Sequence, residues 1–355
     1  MRKFLNTLSF GPGLGLLLAF PAAPLAAQDK PLAPSEIVAA APRTDWVAIA
    51  PSDLLVMTLA LDVAGKPRRV VIQLMPSPFS EGWVRNIRKL AAARFWDGLS
   101  VNRVQDNYVV QWGDADAEDK AKARALPQGL SRMPEADYTT AFKPGMFARR
   151  LTPWGRRDAI ISRDPVPMLV TQQAAEPNFA DPHAISVGFA SGFPVAMTYP
   201  PYRMATDPKA EKGPEQPERV WPVHCYGMVG VGRDMSPDTG SGAELYTVIG
   251  QAPRHLDRNI ALVGRVIEGI ENLSSLPRGT GALGFYESAA ERTPILTVRM
   301  GDEVEGLPAY EYLSTESRSF AAYADARANR RDAFFIRPAG GADLCNIPVP
   351  VRRAQ

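Results

Sequence analysis

The sequence predicts a mainly β protein, built as an antiparallel sheet or barrel with helices at its ends. A hairpin pattern stands near the start of the fold, because two β-rich runs, 54–62 and 68–74, flank the Gly-containing segment VAGKP. Two helical patterns, at 80–94 and 265–276, are well separated along the chain. Strand and helix patterns do not alternate, which argues against a doubly wound parallel sheet.

The remaining elements follow from local periodicity. In the helix at 80–94, Trp83, Ile87 and Leu90 recur at helical spacing, and Ser80 or Ser77 is the candidate cap. An amphipathic helix is predicted at 316–335 and an extended leader at 28–50. Residues 115–222 have no steady period, and we expect exposed loops at their charged start and at 199–222. Further strands are predicted at 99–104, 108–112, 223–231, 244–249, 260–263 and 295–300.

The first 27 residues have the pattern of a secretory signal peptide. Arg2 and Lys3 precede an apolar run at 13–20 that is too short to span a bilayer, and small residues follow it. Ala27 is the expected last residue of this segment, and cleavage after Ala23 or Ala26 stays open. We expect export to a bacterial periplasm, with an uncleaved membrane anchor as the alternative.

The charge balance limits the classes of partner that we expect, and the cysteine count limits the possible redox states. The chain has 40 basic and 38 acidic residues, and the signal segment holds two of the basic ones, so the mature chain is formally neutral. Neither a nucleic acid nor an anionic membrane surface is therefore expected as a partner. Cys225 and Cys345 are the two cysteines. In an oxidising compartment they form either a disulfide, worth about 4 kcal/mol by chain entropy, or two buried free thiols.

Two stretches carry a resemblance to a known family. The first, 79–114, has an Asn-Ile pair in a helix, then Trp-Asp-Gly, Val-Asn-Arg-Val, an aromatic residue and Gln-Trp-Gly-Asp. The second, 226–270, has a Gly-containing strand, Gly-Ser, Leu-Tyr, Leu-Asp and Gly-Arg-Val-Ile-Glu-Gly. In order and spacing both resemble the cyclophilins, a family of peptidyl-prolyl cis-trans isomerases. The chain thus looks like a divergent, exported bacterial form.

The resemblance implies a closed eight-stranded antiparallel barrel capped by two helices. Residues 51–303 are then the cyclophilin-like domain, with 115–222 as an insertion, 28–50 as a leader and 304–355 as a C-terminal extension. We expect the insertion and the extension to pack against the barrel, and the chain to be a monomer.

The resemblance also implies the activity and the site. Twisting an X–Pro amide needs an apolar slot and a charged donor, but no nucleophile, metal or cofactor, so none is expected. Arg103 corresponds to the donor, and Gln111 to the residue that positions the substrate backbone. The expected partners are unfolded, proline-containing polypeptides, and a non-catalytic peptide-binding or chaperone module using the same groove is the alternative. The other expected substrate-binding residues are Tyr108, Val109, Glu244, Tyr246, His255 and Leu256.

Several of these residues depart from the family pattern. Tyr108 and Tyr246 stand where phenylalanine is usual, so two hydroxyls in an apolar pocket need partners. Glu244 replaces a glutamine, His255 an aromatic residue, and Asn102 the histidine before the arginine. These changes predict an unusually polar pocket and allow a reduced activity.

Competing motifs are weaker. The tetrapeptide at 238–241, Asp-Thr-Gly-Ser, occurs around aspartic protease carboxylates, but that chemistry needs two such aspartates and the chain has no second copy. The three histidines, His183, His224 and His255, show no metal-ligand spacing. Asp114, Asp116 and Glu118 lack the glycine and distal glutamate of a calcium loop.

Overall fold

The computed structural model of the chain describes residues 31–142, 148–151, 158–161, 181, 183–184, 186–198, 217–337 and 341–354. The predicted signal peptide lies outside these residues, as does most of the Pro-rich segment that begins at 199. Within the part described, no helix is both long and apolar enough to cross a membrane.

The described residues form strands that fall into three sheets. In chain order the strands are β1 (Trp46–Ile49), β2 (Leu54–Leu59), β3 (Arg68–Leu74), β4 (Ser100–Val104), β5 (Val109–Gly113), β6 (Thr140–Ala141), β7 (Ala148–Leu151), β8 (Asp158–Ile161), β9 (Ser186–Ala190), β10 (Phe193–Thr198), β11 (Arg219–Pro222), β12 (Met228–Val231), β13 (Leu245–Val248), β14 (Leu262–Glu268), β15 (Thr293–Met300), β16 (Tyr310–Leu313) and β17 (Val351–Arg353).

Eight of these strands close into an antiparallel barrel, in the order β12-β13-β5-β4-β15-β2-β3-β14, with β14 pairing back to β12. The predicted barrel is therefore confirmed. The expected hairpin is β2–β3, which pairs continuously from Leu54↔Gln73 to Leu59↔Arg68. Alternating residues such as Leu55, Ile72 and Val110 fill the barrel core.

The helices differ in part from the sequence prediction. They are α1 (Pro34–Ala40), α2 (Glu81–Ala92), α3 (Glu271–Ser274) and α4 (Arg318–Ala328). Ser80 occupies the N-cap position of α2, although its hydroxyl makes no capping hydrogen bond. The second cap, α3, is a single turn, and α4 is shorter than the helix predicted at 316–335.

The helix predicted over 265–276 is wrong in its first half. Arg265 and Val266 pair with Gln73 and Ile72 as part of β14. Barrel closure requires this pairing and overrides the local helical period. Gly269 ends the strand with a φ of 84°, where an added Cβ would lie 2.0 Å from the Arg69 carbonyl oxygen. Only the residues beyond this glycine are free to form α3.

The leader and the C-terminal extension form a second sheet, of order β1-β16-β17. The leader is thus not simply extended, because it contains α1 as well as β1. Ile49 and Tyr310 of this sheet pack against Leu54, Val56 and Val71 on the outer face of the barrel. The disulfide between Cys225 and Cys345, with Cα atoms 5.1 Å apart, also ties the extension to the chain before β12. The structure thus selects one of the two cysteine states that the sequence left open.

The insertion contributes a third sheet, of order β6-β11-β10-β9-β7-β8. The expectation of an exposed loop is confirmed for the charged residues after Asp114 but is wrong for β11, where Val220 and Trp221 are buried. In β10, Phe193, Val195, Ala196 and Met197 are all fully buried. A strand that is covered on both faces has no polar-apolar alternation, which is why the sequence shows no period here.

Candidate active site

Three adjacent barrel strands place the predicted residues on one outer surface. Arg103 of β4 pairs with Gln111 of β5, and Gln111 pairs with Tyr246 of β13. Their sequence neighbours Val110 and Leu245 point into the barrel core. The alternation of strand residues therefore puts Arg103, Gln111 and Tyr246 side by side on the outside of the barrel, with Arg103 and Gln111 partly exposed and Tyr246 buried.

The Arg103 guanidinium is held by neutral acceptors. Its Nη1 donates to Gln111 Oε1 at 3.0 Å, its Nη2 donates to Gln105 Oε1, and its Nε donates to the Leu283 carbonyl oxygen at 2.8 Å. No carboxylate of the described residues lies within ion-pair distance of it. Burial lowers the pKa of Arg103, while the charge of Glu244 acts in the opposite direction. An arginine remains protonated under these conditions, so a cation is presented at the surface.

Aromatic rings flank this cation. The guanidinium carbon lies 5.1 Å from the ring centre of Phe285 and 5.8 Å from that of Tyr108. Phe285 is 40% exposed, an unusual value for a phenylalanine. Both contacts fall within the range of cation–π attraction and fix the guanidinium above an apolar surface.

An apolar cluster lies next to Arg103, whose guanidinium carbon is 5.8 Å from the ring centre of Tyr108. Val109, Tyr246 and Val248 form a buried cluster of their own, and Tyr108 and Ile260 pack against it. The exposed His255 ring lies parallel to that of Tyr108, with centroids 6.5 Å apart. The structure therefore brings these predicted residues together. Leu256 is half-buried in the same turn as His255 but lies outside this cluster.

Glu244 lies just before β13 and interacts with Gln111. Burial raises the pKa of Glu244, and hydrogen bonds from Gln111 and Asn102 together with the Arg103 charge oppose that rise. Because the Gln111 oxygen accepts from Arg103, its amide nitrogen must be the donor to Glu244. The Gln111 amide thus lies between a cation, Arg103, and a carboxylate, Glu244.

The Tyr246 hydroxyl has a buried partner, His224 Nε2, at 2.7 Å. The ring lies against Gly230 of β12, where an added Cβ would be 2.3 Å from the Tyr246 hydroxyl. The hydroxyl is thus directed into the protein, toward a histidine that is 0% exposed. His224 is thus the partner that a tyrosine hydroxyl among apolar residues was expected to need.

The competing motif at 238–241 has a structural role. The Trp83 indole of α2 donates to the Thr239 and Gly240 carbonyl oxygens at 3.0 and 3.1 Å. Asn86 donates to the Ser241 carbonyl oxygen at 2.9 Å. These bonds fasten the motif to α2. Within the residues that the structure describes, no cluster of His, Cys, Asp and Glu is arranged to hold a metal ion.

Sequence reasoning missed four contributors to the site: Gln105, Leu283, Phe285 and His224. Leu283 acts through its carbonyl oxygen and a φ of 57°, which side-chain patterns do not show. An aromatic residue within the Gly-rich segment 279–286 was the one available signal for Phe285. The sequence presents His224 only as a candidate metal ligand, and its pairing with Tyr246 depends on the closed barrel.

Among the comparisons with known proteins, one solved structure supports the fold. No protein-family model matches the sequence, and no curated protein matches it. The crystal structure of a cyclophilin from Hirschia baltica matches with a TM-score of 0.57 at 18% identity, over 87% of this chain and 94% of that one. A cyclophilin-type peptidyl-prolyl cis-trans isomerase from Cryptosporidium parvum matches at 9% identity with a TM-score of 0.33, over 69% of this chain and 98% of that one. The chain thus has a cyclophilin-like fold.

Proposed function

We propose that this protein is a peptidyl-prolyl cis-trans isomerase that acts on exported polypeptides, with Arg103 as the catalytic donor. One observation carries the proposal. A guanidinium without a carboxylate partner among the described residues lies on the outside of a cyclophilin-like barrel, beside the apolar residues Tyr108, Val109 and Tyr246, which form the proline slot in this proposal.

The isomerisation requires little from the protein beyond a cationic donor next to an apolar binding surface. Amide resonance produces a rotational barrier of about 18–20 kcal/mol, and the barrier falls when the nitrogen lone pair is no longer shared with the carbonyl. A cationic N–H donor beside the twisted amide favours that state, because the nitrogen is a better acceptor there than in the planar ground state. Arg103 is the group with this charge and this access.

Gln111 has two roles in this proposal. Its oxygen holds Arg103 Nη1, and one of its two amide hydrogens is used by Glu244. The second amide hydrogen is then available for a carbonyl oxygen of the substrate backbone. Val109 and the rings of Tyr108 and Tyr246 receive the proline side chain, and His255 and Leu256 form the rim. No metal or cofactor takes part in this mechanism.

The proposed setting is the bacterial periplasm, with unfolded, proline-containing chains as clients. Two features support it. The first 27 residues have the signal-peptide pattern, and the Cys225–Cys345 disulfide is of a kind that persists in oxidising compartments. The protein then encounters its clients as they emerge unfolded after export.

A second candidate is a peptide-binding or chaperone module without catalysis. The contacts of Arg103 favour it, since Nε and Nη2 already donate to Leu283 and Gln105. Nη1 likewise donates to Gln111, so if these bonds persist with peptide bound, only the second hydrogen of Nη1 and that of Nη2 remain for the substrate. Binding would then proceed without strong stabilisation of the twisted amide.

A protease-coupled assay on an Ala-Ala-Pro-Phe tetrapeptide separates the two candidates. Arg103→Ala should lower kcat/KM by about 10²–10³, the usual effect of losing one transition-state donor. Arg69→Ala is the matched control, because Arg69 is a half-exposed arginine of β3 that pairs with Glu268. Equal rates for Arg103→Ala and the parent would contradict the catalytic proposal. Suppression of client aggregation that survives Arg103→Ala would favour the chaperone module.

A further inference from the structure

A continuous chain of buried polar side chains runs from Tyr246, in the proposed proline slot, to the insertion. From Tyr246 it passes to His224 at 2.7 Å, then to Asp257 at 2.9 Å, and from Asp257 to Arg254 at 2.6 Å. Arg254 Nη1 then donates to Asp181 Oδ2 at 2.8 Å. The exposed fractions of these side chains are 0% for His224, 3% for Asp257, 5% for Arg254 and 10% for Asp181.

The geometry and the directions of the pKa shifts indicate which group donates in each hydrogen bond of this chain. Burial alone would raise the pKa of Asp257, but hydrogen bonds from His224 and the charge of Arg254 outweigh it and lower that pKa. Asp257 is therefore ionised and accepts from His224 Nδ1, whose neutral ring follows from the burial that lowers its pKa. His224 Nε2 then carries a lone pair, and the Tyr246 hydroxyl must donate to it.

Arg254 connects two parts of the protein. It binds Asp257, beside the slot, and Asp181, which belongs to the insertion. It also begins the turn Arg254–Leu256, which carries the rim residues His255 and Leu256. A single buried arginine therefore links the insertion both to the rim and, through Asp257, to the floor of the slot.

We propose that this chain is a positioning relay, through which Asp181 of the insertion sets the affinity of the proline slot. Asp181, Arg254, Asp257 and His224 are positioning residues, because they act on the substrate only through Tyr246 and the rim. This inference rests on the proposed function, since it assumes that the slot receives proline. It assigns to the insertion a part in substrate binding.

The relay should affect binding rather than the twisting step. Tyr246 contacts the proline ring in the planar and twisted states alike, and none of the hydrogen bonds of Arg103 goes to a member of the relay. An interaction made equally in the ground and transition states changes KM and leaves kcat alone. A role confined to stability would instead lower the folded fraction of the protein, and it would not raise KM while leaving kcat unchanged.

Asp181→Asn in the full chain tests the proposal, with Glu311→Gln as the matched control. Glu311 is 11% exposed and binds Arg352 at 2.6 Å, in the sheet formed by leader and extension. For Asp181→Asn we expect KM for the Ala-Ala-Pro-Phe peptide to rise about 3- to 10-fold, the size of coupling within one hydrogen-bond network, with kcat unchanged. Asp181→Glu should restore the parent KM, which guards against misfolding of the first variant.

Two further readouts separate this inference from the proposed function. ¹⁵N NMR should show His224 with a protonated Nδ1 and an unprotonated Nε2, in the parent and in Arg103→Ala alike. Peptide affinity measured by calorimetry reports on the slot even if turnover is absent. Equal peptide affinities for Asp181→Asn and Glu311→Gln, or a fall in kcat at constant KM, would overturn the relay and leave the role of Arg103 standing. A parent that binds no proline peptide would overturn both.

Discussion

Replacing Tyr246 by phenylalanine tests whether the buried hydroxyl contributes to stability as the geometry indicates. The change removes the 2.7 Å hydrogen bond and leaves His224 Nε2 without a partner at a position that is 0% exposed. A buried polar atom that loses its only partner costs about 1–3 kcal/mol. The ring itself remains, so the packing against Gly230 is preserved. We therefore expect the free energy of unfolding to fall by about this amount.

Urea denaturation at neutral pH measures the effect, and Tyr138→Phe provides the control. The Tyr138 hydroxyl is also buried, and it has no hydrogen-bond partner among the described residues. Its removal should leave the unfolding midpoint unchanged or raise it, because no bond is lost and a desolvated group disappears. Equal losses of stability in both variants would refute the reasoning, since they would show that the hydroxyl itself, rather than its bond to His224, is responsible.

Two further predictions concern pH and redox state. Burial lowers the pKa of His224 below its usual 6.5. Below pH 6.5 the unfolded chain therefore binds a proton that the folded chain does not. The free energy of unfolding should consequently fall as pH decreases, by at most about 1.4 kcal/mol per pH unit. The pKa of Glu244 is raised, so this group acts in the opposite direction. The urea midpoints above and below pH 6.5 are therefore best compared in a Glu244→Gln background. A midpoint that does not change with pH in that background would contradict the prediction. The Cys225–Cys345 disulfide closes a loop with a sequence separation of 120, and replacing both cysteines by serine should cost about 2–4 kcal/mol. Identical midpoints for the parent with and without reductant would show that the bridge contributes nothing.

Much of the barrel could be predicted from sequence because its elements have clear local patterns. The β2–β3 hairpin and α2 begin and end within three residues of their predicted bounds. The insertion could not be predicted in the same way. Its strand β10 is covered on both faces, so Phe193 and its neighbours show no alternation. The helical period after Arg265 was misleading because pairing with β3 closes the barrel and outweighs a weak local preference.

For the candidate site, the sequence by itself determined what lies close along the chain. Arg103 and Gln111 belong to one hairpin, so their adjacency follows from the motif and from strand pairing. Their order and spacing also sufficed to indicate the cyclophilin resemblance.

Only the tertiary structure decided which distant groups complete the site. It placed Tyr246 beside Gln111, the Leu283 carbonyl oxygen on Arg103, and Asp181 on Arg254. It also directed the Tyr246 hydroxyl to His224 rather than into the slot. These contacts depend on barrel closure and on packing between separate segments. Local sequence patterns carry no information about them, because each partner satisfies its hydrogen bonds through a residue far away in the chain.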